Sequence, residues 1–253
     1  MSWSSKRKNK YIIVALFVIL IPIILFLFFS FYTEPTCFDG KQNADEEGVD
    51  CGGSCQVVCG FKIIDPIVQW SRVSKTNDGV YSAVAMIENL NVSAEASGIP
   101  YVFKLFDEEG LLISEKRGLI FIPANSTFPV FEGGIKVGNR VPVRTTFELT
   151  RAPYWVKSSI DYNSLITIKN VDFQEKNNTS KVLALIENNT IREIKGIELI
   201  VLLLDGDGNL INSSKTIIGS IKKDSSENAI FTWPILFDKK IAKIDLMLVS
   251  KIE

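Results

Sequence analysis

Few side chains in this 253-residue chain could do chemistry, and they are unevenly placed. Histidine is absent, which removes the commonest general base, the serine triad and most zinc enzymes together. All four cysteines, Cys37, Cys51, Cys55 and Cys59, fall in one short polar stretch. An even number clustered in this way reads as two disulfides, with three pairings open. A zinc site is the alternative, although the spacing lacks a C-x₂-C pair. Paired cysteines are not available as thiolate nucleophiles.

The same stretch carries Asp39, Asn43, Asp45, Glu46 and Asp50, hard oxygen donors of the kind calcium takes. The leading reading is nonetheless a solvated acidic loop bent by Asx-turns and by Gly40, Gly48, Gly52 and Gly53, with no cofactor. Calcium bound by these five residues is the alternative. Elsewhere the carboxylates gather twice, as Asp107-Glu108-Glu109 and as Asp205 with Asp207. They could serve a carboxylate-dependent hydrolase or sit as exposed hairpin tips. Asp205 to Asn209 opens like a calcium loop, but Leu210 stands where such loops need glycine and Thr216 where they need glutamate. No P-loop, nucleophile elbow or dinucleotide fingerprint occurs. The expectation is therefore no catalytic residue and no enzyme.

The elements that position these residues begin at a membrane. Residues 11–32 run without a charge, and a helix of that length spans about 33 Å, enough for a hydrocarbon core of about 30 Å. Pro22 within it is expected to kink the helix without preventing insertion. The run is longer than a signal-peptide core and lacks a small-residue cleavage pair, so a retained signal-anchor is expected over a cleaved peptide. Lys6, Arg7, Lys8 and Lys10 precede it with no acid among them. The positive-inside rule places residues 1–10 in the cytoplasm and the rest outside. Residues 33–60 form the acidic cysteine-rich module. Beyond it, acids and bases balance in number, so the ectodomain has no footprint for nucleic acid. The expected partners are the membrane and other envelope or surface proteins.

The remainder repeats. VAMIEN (84–89) matches LALIEN (183–188), and IPYVFKLFDEEGLLI (99–113) lies opposite IELIVLLLDGDGNLI (197–211). IPANST (122–127) and VPVRTTFEL (141–149) find counterparts at 221–226 and 241–249. Four blocks in one order at an offset near 99 predict two copies of one domain, 61–155 and 156–253. Both alternate with period two and break at Asp/Gly/Asn turns, with no further long amphipathic helix. About seven short strands each predict an all-β ectodomain of two tandem immunoglobulin-like β-sandwiches. Their joint, near residues 151–157, is short enough to limit their freedom. Trp70, Trp155 and Trp233 are expected in core or interdomain packing. Asn91, Asn125, Asn177, Asn178, Asn188 and Asn212 each head an N-x-[ST] sequon.

Phe103-Lys104-Leu105-Phe106-Asp107 resembles the F-x-L-Y-D motif of FxLYD-type, late-embryogenesis-abundant-like β-sandwich domains, with Phe for Tyr. Glu88-Asn89, Glu187-Asn188 and the turn from Asp107 to Gly110 resemble that family too. The second copy reads Val201-Leu202-Leu203-Leu204-Asp205 and departs from the motif. Cys37 to Cys59 separately resembles a short cysteine module of secreted and surface proteins. These resemblances imply a membrane-tethered extracytoplasmic sandwich with no catalytic residues. The expected function is a non-enzymatic structural or binding protein of the cell envelope or surface. The alternatives are a subunit of a secretion or fibre-assembly complex and a carboxylate-dependent hydrolase.

Overall fold

The computed structural model describes residues 3–32, 34–158 and 160–251. Met1 and Ser2 of the basic tail, Thr33, Ser159 and the last two residues lie outside them, as do the side chains of Lys6, Arg7 and Lys8. The chain forms two compact units, residues 1–55 and 56–253.

The first unit holds helix α1 (Trp3–Phe31), continuous through Pro22. Its apolar window Lys10–Leu27 has no buried residue. A water-soluble helix hides an apolar stripe, whereas this one is apolar on all sides and covered on none. It is long and apolar enough to cross a membrane, consistent with an anchor or a signal sequence. The cysteine segment follows. Cys37 pairs with Cys55, Cα atoms 5.6 Å apart, and Cys51 and Cys59 are also disulfide-bonded, leaving no free thiol. The zinc alternative is set aside, because oxidised sulfur offers no thiolate. Disulfides persist in oxidising compartments, which suggests an extracytoplasmic domain.

The second unit is built almost wholly of strands: β1 (Ile67–Asn77), β2 (Val80–Asn89), β3 (Ala94–Phe106), β4 (Leu112–Ile122), β5 (Ser126–Lys136), β6 (Arg144–Leu149), β7 (Val156–Lys157), β8 (Ile166–Lys176), β9 (Thr179–Asn188), β10 (Ile194–Leu204), β11 (Leu210–Ile221), β12 (Ser226–Trp233) and β13 (Lys243–Leu248). They pair antiparallel in four sheets. The orders are β1-β2-β5 and β4-β3-β6 in the first half, then β12-β9-β8 and β11-β10-β13 in the second. Each half has six full strands where about seven were expected. The two-residue β7 pairs with the start of β3.

Three cores lie between the four sheets. The first, with Ala83, Ala85, Ile87, Phe103, Leu105 and Phe147, fills the space between the sheets of the first half. The second, with Ile186, Leu199, Val201, Leu203, Phe231 and Trp233, does so in the second half. The third joins the halves: Val84 and Met86 of β2 meet Ile200 and Leu202 of β10, flanked by Trp70, Phe131 and Met247. The sheets therefore stack in four layers. β2 and β10 are each sandwiched, sending alternate residues into different cores, and so are buried at consecutive positions, Tyr81–Ile87 in β2 and Leu199–Leu203 in β10. By contrast, β9 faces a core on one side only and alternates buried with half-exposed. The segment near 151–157 is itself pinned: Val156 bridges Val57 and pairs with Glu95, and the Val58 N–H donates to the Trp155 carbonyl.

Candidate functional site

The cysteine segment is held by its own carboxylates. Asp50 accepts the Gly40 N–H at 3.1 Å on both oxygens. Asp39 accepts the Lys41 N–H at 2.9 Å and the Asn43 side-chain amide at 2.8 Å, and the Asn43 bond is the main influence holding the Asp39 carboxyl below its ordinary value. Glu46 Oε2 accepts from the amides of Asn43 and Asp50, each at 3.3 Å, and Asp45 accepts from the Ser54 hydroxyl at 2.8 Å. These are the turn-closing roles of an acidic loop. Among the described residues no three of these carboxylates bring oxygens within 4.8 Å of one another; the one cluster of three metal-ligating side chains is Cys37, Glu46 and Cys55. Two of those are joined in the disulfide. Asn43 Oδ1 is buried without a partner, a single orphan acceptor where calcium takes six to eight oxygens.

The glycines of Cys51-Gly52-Gly53-Ser54-Cys55 have a steric cause. Both hold positive φ, and a Cβ on Gly53 would collide with the Asp45 carbonyl, one on Gly52 with the Glu47 side chain at 2.6 Å. The loop closes only because those two positions carry no side chain.

The acidic hairpins prove to be one device used twice. Asp107 caps the turn between β3 and β4, accepting the Leu111 N–H at 2.9 Å. Asp205 does the same between β10 and β11, accepting from Asn209 at 2.8 Å and Asp207 at 3.1 Å. Those backbone bonds lead in holding the Asp205 carboxyl below its ordinary value. Each also meets a cation from the loop that leads into the last strand of its sheet, Arg140 before β6 at 3.3 Å and Lys239 before β13 at 3.5 Å. The two anchoring carboxylates thus serve the backbone. Glu108 and Glu109 line an open surface depression with Asp107 and Arg140.

A second repeated device, whose residues stood out in the sequence but whose role did not, is a buried asparagine. Asn89 donates to the carbonyls of Ala94 (3.0 Å) and Pro123 (2.7 Å) and accepts the Asn91 N–H. Asn188 donates to the carbonyls of Arg192, Ile221 and Lys222 and accepts from Thr190. One side chain thereby satisfies backbone groups of the loop after its own strand and of the strand end beside it.

The seam between the halves holds the polar groups that sequence reasoning missed. Asn212 donates to the Lys75 carbonyl (2.7 Å) and accepts from Ser74, Trp233 Nε1 and the Ser213 N–H. Glu95, buried, accepts from Lys251 Nζ at 2.8 Å and from Tyr162 at 3.1 Å. Burial alone would raise the Glu95 carboxyl, but bonds from Lys251, Ser158 and Tyr162 outweigh it and the net direction is down. Burial beside Glu95 pushes the Tyr162 phenol up. The phenol of Tyr101 is also raised, by burial and by donation to Glu132 at 2.7 Å. Gly118 leaves the space for that bond, since a Cβ there would strike both partners. Of the three tryptophans expected in packing, Trp155 and Trp233 lie in the first and second cores and Trp70 flanks the seam.

Two cavities open along this seam. One of about 250 Å³ is lined by Leu119, Phe121, Phe128, Ile200 and Val249, with Tyr101, Glu198, Lys215, Ser250 and Lys251 as its polar groups. Another of about 300 Å³ lies beside Asn125, Tyr162 and Val249. Glu198 and Lys215 pair with each other at 3.2 Å and Lys251 pairs with Glu95 at 2.8 Å, so the charged groups at the first cavity are matched.

No protein-family model matches the chain, and no curated protein matches it. Among solved structures, a red sea bream transglutaminase aligns at TM-score 0.24 and 10% identity over 72% of this chain. The chain spans 31% of that protein's length. The class 5 fimbriae chaperone CfaA aligns at TM-score 0.23 and 10% identity, covering 74% of this chain and 100% of its own. Likenesses at these scores carry no argument about fold or activity.

Proposed function

We propose that this chain is a single-pass membrane protein with a cytoplasmic N-terminus, whose ectodomain serves as a non-enzymatic structural or binding element of the cell envelope or surface. The observation that carries the reading is an uncovered apolar helix followed within a few residues by a segment whose cysteines are all oxidised. The basic residues before the helix set the orientation by the positive-inside rule. The matching strand orders of the halves, with the shared asparagine and aspartate devices, support a duplicated immunoglobulin-like sandwich of FxLYD type. The hairpin carboxylates support a non-enzymatic role, because Asp107 and Asp205 are committed to closing turns.

In-cell crosslinking of tagged full-length protein, with mass spectrometry of what co-purifies, tests the reading. Recovery with itself or with a few surface proteins is expected. A stoichiometric set of envelope proteins would replace it with a secretion or fibre-assembly subunit. Protease protection of the C-terminal unit from outside the cell would reverse the orientation.

A further inference from the structure

At the side of the first half formed by β1 and β6, a groove of about 300 Å³ is lined by Arg72, Arg144, Ser71, Thr145, Asn209 and Leu210. Its floor comes from both halves, so it exists only because they are stacked. Both arginines are held in place by aromatic rings: Arg72 lies 5.0 Å from the Trp70 ring and Arg144 4.2 Å from that of Phe106. Arg72 spends one N–H on the Gly208 carbonyl at 3.2 Å. Among the described residues neither guanidinium has a carboxylate within 4.0 Å, although most neighbouring charges are paired. Lys104 takes Glu148, Arg140 takes Asp107, Lys239 takes Asp205 and Lys75 takes Asp78. Asp207, outside those pairs, belongs to the hairpin turn that supplies Gly208 and does not line the groove.

The second half shows that the fold does not require this arrangement. Sheet pairing puts Arg72 opposite Val84 and its counterpart Asp172 opposite Leu183. Arg144 stands opposite Phe106, and Lys243 opposite Leu204. The asparagine and aspartate devices recur in both halves, whereas the two aromatic-backed arginines occur in the first alone.

We propose that this groove binds an oxyanion, a phosphate or carboxylate group, between the Arg72 and Arg144 guanidinium forks. A guanidinium carries five N–H donors in a plane suited to two-pronged contact with such a group. The contact of each guanidinium with a ring limits its freedom beforehand, which lowers the ordering cost of binding. The site deepens the binding role proposed above by naming its ligand chemistry.

The test is calorimetric titration of the full chain in phosphatidylcholine nanodiscs, with empty nanodiscs as reference. Inorganic phosphate is one probe and polyphosphate the other. One saturable site per chain is expected, with Arg144→Gln and Arg72→Gln each weakening it at least tenfold and Lys222→Gln leaving it unchanged. Among the described residues the Arg144 side chain makes no hydrogen bond, its backbone alone serving the β3–β6 ladder, so Arg144→Gln separates loss of the site from loss of the fold; an unchanged melting temperature checks this. Tighter binding of polyphosphate than of phosphate identifies a polyanion, and equal binding a small anion. No saturable binding of either probe, or binding indifferent to Arg144→Gln, overturns the proposal. The crosslinking result stands or falls independently.

Discussion

Asn89 and Asn188 each join three stretches of backbone through one amide. Alanine at Asn188 leaves the carbonyls of Arg192, Ile221 and Lys222 without that donor, at a cost of about 2–4 kcal/mol. Denaturant unfolding of Asn188→Ala should show a lower midpoint with an unchanged slope; a loss below about 1 kcal/mol would contradict the role. Glu95 makes a pH prediction. Its folded pKa lies below its unfolded one, so its contribution is full above the unfolded value, about 4.3, and is lost as pH falls through the folded value. Glu95→Gln should therefore be less stable at neutral pH, by about 1–3 kcal/mol, with a flatter stability profile as pH falls below the ordinary carboxylate range. Equal acid sensitivity in both proteins would exclude it. The sequons divide by burial: Asn91, Asn188 and Asn212 are buried and hydrogen-bonded, whereas Asn125, Asn177 and Asn178 are exposed on turns. Expressed through a glycosylating secretory route, the folded protein should carry glycan only at the exposed three, as peptide mapping after deglycosylation would show.

At the scale of elements, the cysteine segment depends on two glycines as much as on its sulfurs. Gly53→Ala places a methyl group against the Asp45 carbonyl at φ +51°, a conformation that L side chains rarely adopt. Non-reducing peptide maps of Gly53→Ala should show the Cys37–Cys55 link depleted in favour of other pairings; an unaltered map would mean the loop closes another way. The position of that segment, its cysteines and its turn glycines were legible in the sequence, because short polar loops are governed by local chemistry. Its pairing was not, since three connectivities satisfy the same spacing. The strands were legible for the same local reason, and the hairpin aspartates stood out as turn formers. Both nonetheless carry a cation partner from a loop more than thirty residues away, and no local pattern announces it.

The second unit as a whole is a stack of four sheets with three cores, so neither half is complete alone. A first half without the second exposes Val84, Met86 and Phe131, and the second without the first exposes Ile200, Leu202 and Met247. Burying such a side chain is worth about 1.5–3 kcal/mol. Leu202→Asp should therefore cost more than about 3 kcal/mol through an unpaired buried charge. Calorimetry of the intact protein should show the β unit melting in one transition. Two well-separated transitions, one of them untouched by Leu202→Asp, would show that the halves fold independently.

The sequence by itself determined the uncovered apolar helix, the oxidised segment after it, the strand-rich remainder and the near-99-residue spacing. Each is a local or periodic property that a linear chain carries openly. Only the tertiary structure decided that the halves meet face to face. The signal for it, apolar residues at consecutive positions of β2 and β10 instead of alternate ones, is also what one strongly hydrophobic strand looks like. Which face a residue serves depends on what arrives on the other side, and for β2 that partner lies more than a hundred residues further along the chain. The same distance hid the Asn212 hub, the Glu95–Lys251 pair and the two-arginine groove, all of which exist only where the halves close on each other.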